Sequence, residues 1–530
     1  MEPLFEIDLK LPAAATRRTA QALCTQLQQA IAAGRLAPGA RLPATRQAGA
    51  LFGVSRNTVA AVYEQLLCEG LVVTRRGSGT FVAPRPQRAA APPRNGARPA
   101  YRLNEFWLRP EVSDAIGFWR ERAPPPAAAR ATPAQPVELR PGLVDSRLFP
   151  FEVFRQMSAR RLRALERIPA GYKSPQGHQG AFALRSAITR YIALTRAVAC
   201  AAEDVLVTSG AQQAFDLLAR VLVTPGKTVV AVEDPGYPPL RVPFAAAGAK
   251  IVPVPVDAEG MRVERLPAEA DVICVCPSHQ FPLGVSLSMR RRRALIEFAR
   301  RRGAVLVEDD YDGEFRFEGS PLEALRTRDS ADVVFYVGTF SKCMLPAFRL
   351  GFVVAPAWAL PALIAAKNGL DWHCSVPIQL AVASFISDGH LACYVRKMRE
   401  VYRSRRQRLL SLLGAELGAW LEPLPSFCGM HLAALARTPL DLDAVSDALL
   451  ARQVKLHALS RYYLGRPARA GFVIGYGAAD LSDLTRGTAA LRAVLGEAVA
   501  STPASRPVRA ARHERASGGA SRSGGGESGA

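Results

Sequence analysis

The chain predicts an α/β protein in two parts: a small helical domain closed by a β-hairpin, then a large domain on a mostly parallel sheet. Three observations carry this. Near the N-terminus two helical patterns flank a Gly-containing turn and lead into two short strand-like runs. From residue 204 onward, short β-rich runs alternate with helical stretches, the order that produces parallel sheets with crossover helices. Between and beyond these regions, composition shifts sharply. The 530 residues, too many for one hydrophobic core, therefore divide into a first domain at 15–83, a linker at 84–138, a large domain at 139–497 and a disordered tail at 498–530.

The linker is dense in Pro, Ala and Arg and reads as extended where proline clusters. Its aromatics, in "YRLNEFWLRP" and "AIGFWRER", offer groups able to dock on a domain. The tail is Gly, Ser and Arg with almost nothing to bury. Lys and Arg number 68 against 46 Asp and Glu, a net charge of +22. Such an excess suits a polyanionic partner, nucleic acid first, although membrane surfaces and solubility produce the same signal. The 9 cysteines are scattered, as reduced thiols in a cytoplasm are. Only Cys274 and Cys276 are close, and two positions on one strand face make no metal-ligand set. No basic-then-apolar leader opens the sequence, and no apolar run reaches the roughly 18 residues of a membrane span. A cytoplasmic protein without a membrane partner and without a metal is expected.

In the first domain, a helix from Ala44 to Phe52 is joined through Gly53-Val54 to one that Ser55 caps. Val59, Val62, Tyr63, Leu66 and Leu67 then recur at helical spacing on one face, and Gly70 stops the run. Arg56, Asn57 and Thr58 fall in the first turn, off that face. "LVVTRRGSGTFVA" reads strand, turn, strand, a wing with Arg75 and Arg76 at its tip. Two helices so joined form a helix-turn-helix, whose second helix starts in the major groove of DNA. A helical domain with a solvated basic face is the plain alternative. The stretch from "RLAPGARLPATRQAG" to "GSGTFVA" resembles the winged helix-turn-helix of GntR-type bacterial regulators, over residues 20–82. That resemblance implies contacts to double-stranded operator DNA from Arg46, Arg56 and Thr58, with Arg41 and the Gly77–Gly79 wing near the backbone. Arg can read guanine bidentately, and Thr or an N–H can fix a phosphate.

In the large domain each β-rich run ends in a polar cluster: "TSGAQQ", "EDPGY", "PSHQ", "EDDYDGEF" and "GTFSK". Ligands of such sheets sit at the carboxyl ends of the strands. Gly210, Ala211 and Gln212 open a helix whose free N–H groups suit a phosphate. Tyr237 offers a stacking ring, Asp309 a carboxylate and Tyr311 a phenol. Lys342 offers an amine that becomes nucleophilic once desolvated, and Arg349 follows seven residues on. Singly, each is more often a surface lysine, a solvated or metal-binding loop, or a common turn. As an ordered set they fit pyridoxal 5'-phosphate.

These motifs resemble the aspartate-aminotransferase fold, fold type I of the pyridoxal phosphate enzymes. Winged helix, linker and aminotransferase-like domain together resemble the MocR subfamily of GntR regulators. The resemblance implies that Lys342 forms the Schiff base with the cofactor. It makes Asp309 the partner of the pyridine nitrogen, ahead of Asp310 and Glu308. Tyr311 then contacts the ring oxygen and Tyr237 stacks. Ala211, Gln212, Thr339, Ser341 and Arg349 surround the phosphate, and Tyr172 reaches it across a homodimer interface. Two departures stand out. Phe281 falls where aminotransferases carry Asn, so that contact is missing or comes from His279 or Gln280. Val473 falls where they carry the Arg that clamps a substrate carboxylate, and Arg469, four residues away, is too far to substitute along a strand.

The expectation is a dimeric DNA-binding regulator, nucleoid-associated when bound, that senses pyridoxal phosphate or a small amine or amino acid reacting with it. The alternatives are an active aminotransferase carrying a DNA-binding module, and a regulator whose large domain is only a dimerisation scaffold.

Overall fold

The computed structural model describes residues 17–84, 103–119, 136–167, 177–319, 322–465 and 467–501. The chain separates into two compact units, residues 1–103 and 104–530. The first contains helices Arg17–Ala32, Thr45–Phe52 and Arg56–Cys68, then an antiparallel hairpin of Val72–Arg75 and Gly79–Val82. Gly53, at φ 64°, ends the second helix in the left-handed conformation that glycine adopts without strain. The Ser55 side chain accepts the Thr58 N–H and starts the third. Its apolar face, Val59, Val62, Tyr63 and Leu66, is buried against Leu23, Leu27 and Ile31 of the first helix.

The second unit is built on an eight-stranded sheet. In spatial order its strands are Val205–Thr208, Gly351–Val354, Val334–Thr339, Val305–Asp310, Val272–Val275, Val229–Asp234, Lys250–Asp257 and Gly260–Met261. The five from Val334–Thr339 to Lys250–Asp257 are parallel, and Gly351–Val354 runs against both its neighbours. The sheet is thus mixed and mostly parallel, as expected. Helices cover both faces, which explains the unbroken apolar runs. In "VVFYVG", Phe335 and Val337 face the helix Ala211–Leu222, while Val334 packs with Leu295 of Met289–Arg302 and Tyr336 joins the core beneath Val376–Ser387 and His390–Leu412. A four-stranded antiparallel sheet, Leu421–Pro423, His431–Ala436, Gly471–Gly475 and His457–Ala458, completes the unit.

Residues 104–119 form three short helical pieces, Glu105–Leu108, Pro110–Ile116 and Gly117–Trp119. Val112 and Ala115 pack on Val242 of the helix Pro238–Ala246. Among the described residues no single helix is long and apolar enough to cross a membrane.

Candidate functional site

Sheet register gathers the polar strand ends. Thr208 and Thr339 both pair with Gly351, and one strand over Val337 pairs with Asp309. The loop after Thr208 lies so close that a Cβ on Gly351 would stand 2.9 Å from the Gly210 carbonyl carbon.

At this edge the helix Ala211–Leu222 begins. Gly210 has φ +78°, and a Cβ there would stand 3.1 Å from the Arg349 guanidinium, which donates to the Ser209 carbonyl. The Gln212 side chain is turned away, donating to the Pro239 carbonyl at 2.9 Å. What Ala211 and Gln212 present here is therefore first-turn backbone N–H, at the positive end of a helix with no side-chain cap. Thr339 and Ser341 hydroxyls bond each other at 3.1 Å and shape the turn that delivers Lys342.

Three carboxylates stand in a row, and the structure separates them. Glu308 accepts the backbone N–H groups of Leu325 and Arg326. Asp310 is spent on a buried ion pair with Arg196 and on the Tyr336 hydroxyl. Asp309 receives only a 3.8 Å contact from the Cys276 thiol at Oδ2, and its Oδ1 is buried with no partner. Burial first, then the neighbouring Asp310, pushes the Asp309 carboxyl up to about 7. An orphaned buried acid oxygen is costly unless a ligand uses it.

Lys342 is half-buried and donates to the Gly142 carbonyl at 2.5 Å. Desolvation lowers its amine to about 8, against the smaller opposing pull of Asp312 and Asp309. The Tyr311 hydroxyl lies 2.9 Å from Nδ1 of His279, which also meets Asp312 at 2.9 Å. Gln280, the other residue able to replace the missing asparagine, is committed to the Pro235 and Phe281 carbonyls. Tyr237 packs edge-on to Phe281 and to Phe118. Tyr172 lies outside the described residues. Val473 is fully buried among Phe281, Ala433, Leu459 and Tyr462, and Arg469 is exposed outside that cluster. His279, Asp312 and His431 place one donor atom each within 4.8 Å of one another, close enough to hold a metal ion. Spacing could not reveal this trio, because His431 comes from a distant strand. Two further residues reach the crevice from the segment read as linker, Phe118 and Trp119. The aromatics of "AIGFWRER" were their only signal.

In the first unit Arg41, Arg46 and Arg56 are exposed, and Thr58 is half-buried with its hydroxyl 2.8 Å from that of Ser55. Gly79, at φ +114°, lets the hairpin approach the Arg41 guanidinium, where a Cβ would stand 3.2 Å from Nε. Arg75 lies over the Phe81 ring. Between residues 17 and 84 there are eight arginines and two glutamates, so the hairpin and helix start form a cationic surface.

The family model for bacterial regulatory proteins of the GntR family matches residues 19–82, and that for class I and II aminotransferases matches residues 149–470. The probable rhizopine catabolism regulatory protein MocR of Rhizobium meliloti is 34% identical over 472 residues, 89% of this chain and 92% of that protein. The chain is a MocR-type regulator of the GntR family. This MocR-type chain is also 32% identical to the pyridoxine biosynthesis transcriptional regulator PdxR of Corynebacterium glutamicum, over 86% of its own length and 92% of the relative's. In structure its second unit is similar to an archaeal alanine:glyoxylate aminotransferase, with TM-score 0.64 and 25% identity over 69% of this chain and 91% of that one. The MocR-type regulator thus joins a helix-turn-helix unit to an aminotransferase fold.

Proposed function

We propose that this regulator binds operator DNA as a homodimer through its winged helices, and that its second unit holds pyridoxal phosphate and senses it or an amine that reacts with it. The carrying observation is Lys342: an amine lowered to about 8 at the end of a buried strand, facing the same crevice as the orphaned Asp309 oxygen. The residues present fit the cofactor by chemistry. Asp309 would meet its pyridine nitrogen, Tyr311 its ring oxygen and Tyr237 its face. The N–H groups of Ala211 and Gln212, with Thr339, Ser341 and Arg349, would hold its phosphate, and Tyr172 would add to them from the partner subunit. When bound, the cofactor supplies an electrophilic aldehyde and an electron-withdrawing ring.

The chain's own residues do the rest. Lys342 would supply the neutral amine to the aldehyde. Asp309 would hold a proton at the ring nitrogen. His279 and Asp312 fix the Tyr311 phenol, supplying the support that Phe281 cannot. A vitamin B6 form as signal suits the apolar surroundings of Val473, whose side chain cannot clamp a carboxylate. The relatives' names point both ways, to pyridoxine biosynthesis and to rhizopine catabolism. The nearly complete set of aminotransferase-like groups favours a second reading, an active aminotransferase with a DNA-binding module. Multiple rapid turnovers with an amino acid would establish that reading instead.

The test titrates the protein–operator complex with pyridoxal phosphate. Affinity or footprint should change as the cofactor saturates, because a ligand moves a switch only by binding its two states unequally. An unchanged footprint at saturation with Lys342 fully loaded overturns the sensor reading.

A further inference from the structure

Two residues of the chain itself, Phe118 and Trp119, link the Lys342 amine to the apolar cluster around Val473. Phe118 is 1% exposed and belongs to the same apolar cluster as Val473, Phe281 and Tyr462. Rings surround it: Tyr237 at 5.8 Å, Tyr462 at 5.4 Å and His457 at 5.2 Å between centroids. Burial holds His457 near 3, so that ring is neutral. Trp119 packs edge-on to Phe118, with ring centroids 4.9 Å apart. Its indole N–H donates to the Tyr237 hydroxyl at 3.1 Å, and its ring lies 4.8 Å from the Lys342 amine. It presses on Gly142, where a Cβ would stand only 2.8 Å from the indole. An aromatic body in an apolar cage, an N–H aimed at a phenol oxygen, and a position beside the lysine amine are the features of a bound ligand. Here a segment of the same chain supplies them.

We propose that Phe118 and Trp119 are a built-in occupant of the effector pocket. The effector that displaces them is a primary amine with an aromatic or apolar body and no carboxylate. The inference rests on the reading that Lys342 carries pyridoxal phosphate. It goes further in naming the ligand class and the element that moves. Phe118 points to an aromatic body, because rings surround it and the Arg461 guanidinium lies over its face, 5.9 Å from the ring centroid. The indole N–H fixes the polar end, because an amine can take over its bond to Tyr237. Val473, buried in the same cluster, puts no carboxylate clamp on its strand. The displaced piece is well placed to report, because residues 104–119 follow the wing in sequence, which ends at Val82. While the plug is seated, only the fraction of molecules with it expelled binds effector, and apparent affinity falls by that fraction.

The experiment follows hydrogen exchange over residues 110–119 by mass spectrometry, in the full chain with and without cofactor. Without cofactor, Phe118→Ala should speed exchange of this segment several-fold while Phe118→Leu stays near the parent. Unchanged exchange in Phe118→Ala overturns the plug, whatever the cofactor does. With cofactor, tryptamine should speed exchange in the parent chain, and Trp119→Ala should bind tryptamine on the order of tenfold more tightly. Exchange that stays slow while tryptamine alters the cofactor absorbance overturns displacement. Phenylalanine acting at equal or lower concentration overturns the carboxylate-free class. Absence of any lysine-bound cofactor absorbance in the parent chain overturns the sensor reading instead, and is read separately.

Discussion

Lys342 and Asp309 are shifted in opposite directions by one cause. Burial penalises charge, so the amine is lowered to about 8 and the acid raised to about 7. Capture of an aldehyde needs the neutral amine. The rate at which cofactor absorbance develops should rise about tenfold per pH unit below 8 and level off above it. A flat profile between pH 6 and 8 would contradict an amine so shifted, and Lys342→Ala should abolish the signal. For Asp309 the folded pKa lies above the ordinary carboxyl value of 3.8. The cofactor-free fold therefore binds the extra proton. The stability this confers is present below about pH 4 and lost as pH rises through about 7, by at most ~1.4 kcal/mol per unit. Asp309→Asn does not titrate. In thermal melts without cofactor, the parent's stability relative to this variant should fall between pH 5 and 7.5. A constant difference would mean that Asp309 is not desolvated.

At the scale of elements, the site depends on how a strand hands over to a helix. Gly210 turns the chain at φ +78° with Arg349 packed against it. Gly210→Val adds left-handed strain of about 1 kcal/mol or more and a side chain directed at the guanidinium. Fluorescence titration should show pyridoxal phosphate affinity reduced about tenfold or more, with the fold intact by circular dichroism. Unaltered affinity would remove this helix start from the phosphate site. The turn and helix were legible from Gly and the apolar period of "AQQAFDLLARVL". Spacing does not choose among Glu308, Asp310 and Asp309, because only their partners distinguish them: backbone N–H groups, Arg196, or a lone thiol contact that leaves one oxygen unpartnered.

For the whole molecule, the recognition unit and the crevice unit each follow their own rules. Arg56 is the exposed first residue of its helix, and Arg41 lies beside Gly79 of the wing. Arg56→Ala should cost about 1–3 kcal/mol of operator binding and relax specificity at one position. Arg41→Ala should weaken binding uniformly and reduce the salt slope by about 1. Binding measured across operator variants and salt concentrations separates these outcomes. Equal losses on all sequences for both variants would place Arg56 on the backbone as well.

Periodicity, turn residues and composition determined both kinds of element, their order and the strand ends that bear the chemistry, because these are local consequences of side-chain spacing. In "VVFYVGTFSK" the apolar run and the lysine that follows it specify a buried strand ending in an amine. Tertiary structure decided what lies beside that amine. Residues 118 and 119 read as linker because nothing nearby in sequence could bury an aromatic pair. Their partners, Tyr237, Phe281, His457 and Tyr462, come from strand ends and turns more than a hundred residues further on. Which polar atoms stay unsatisfied, and which pocket is already full, depends on such distant meetings.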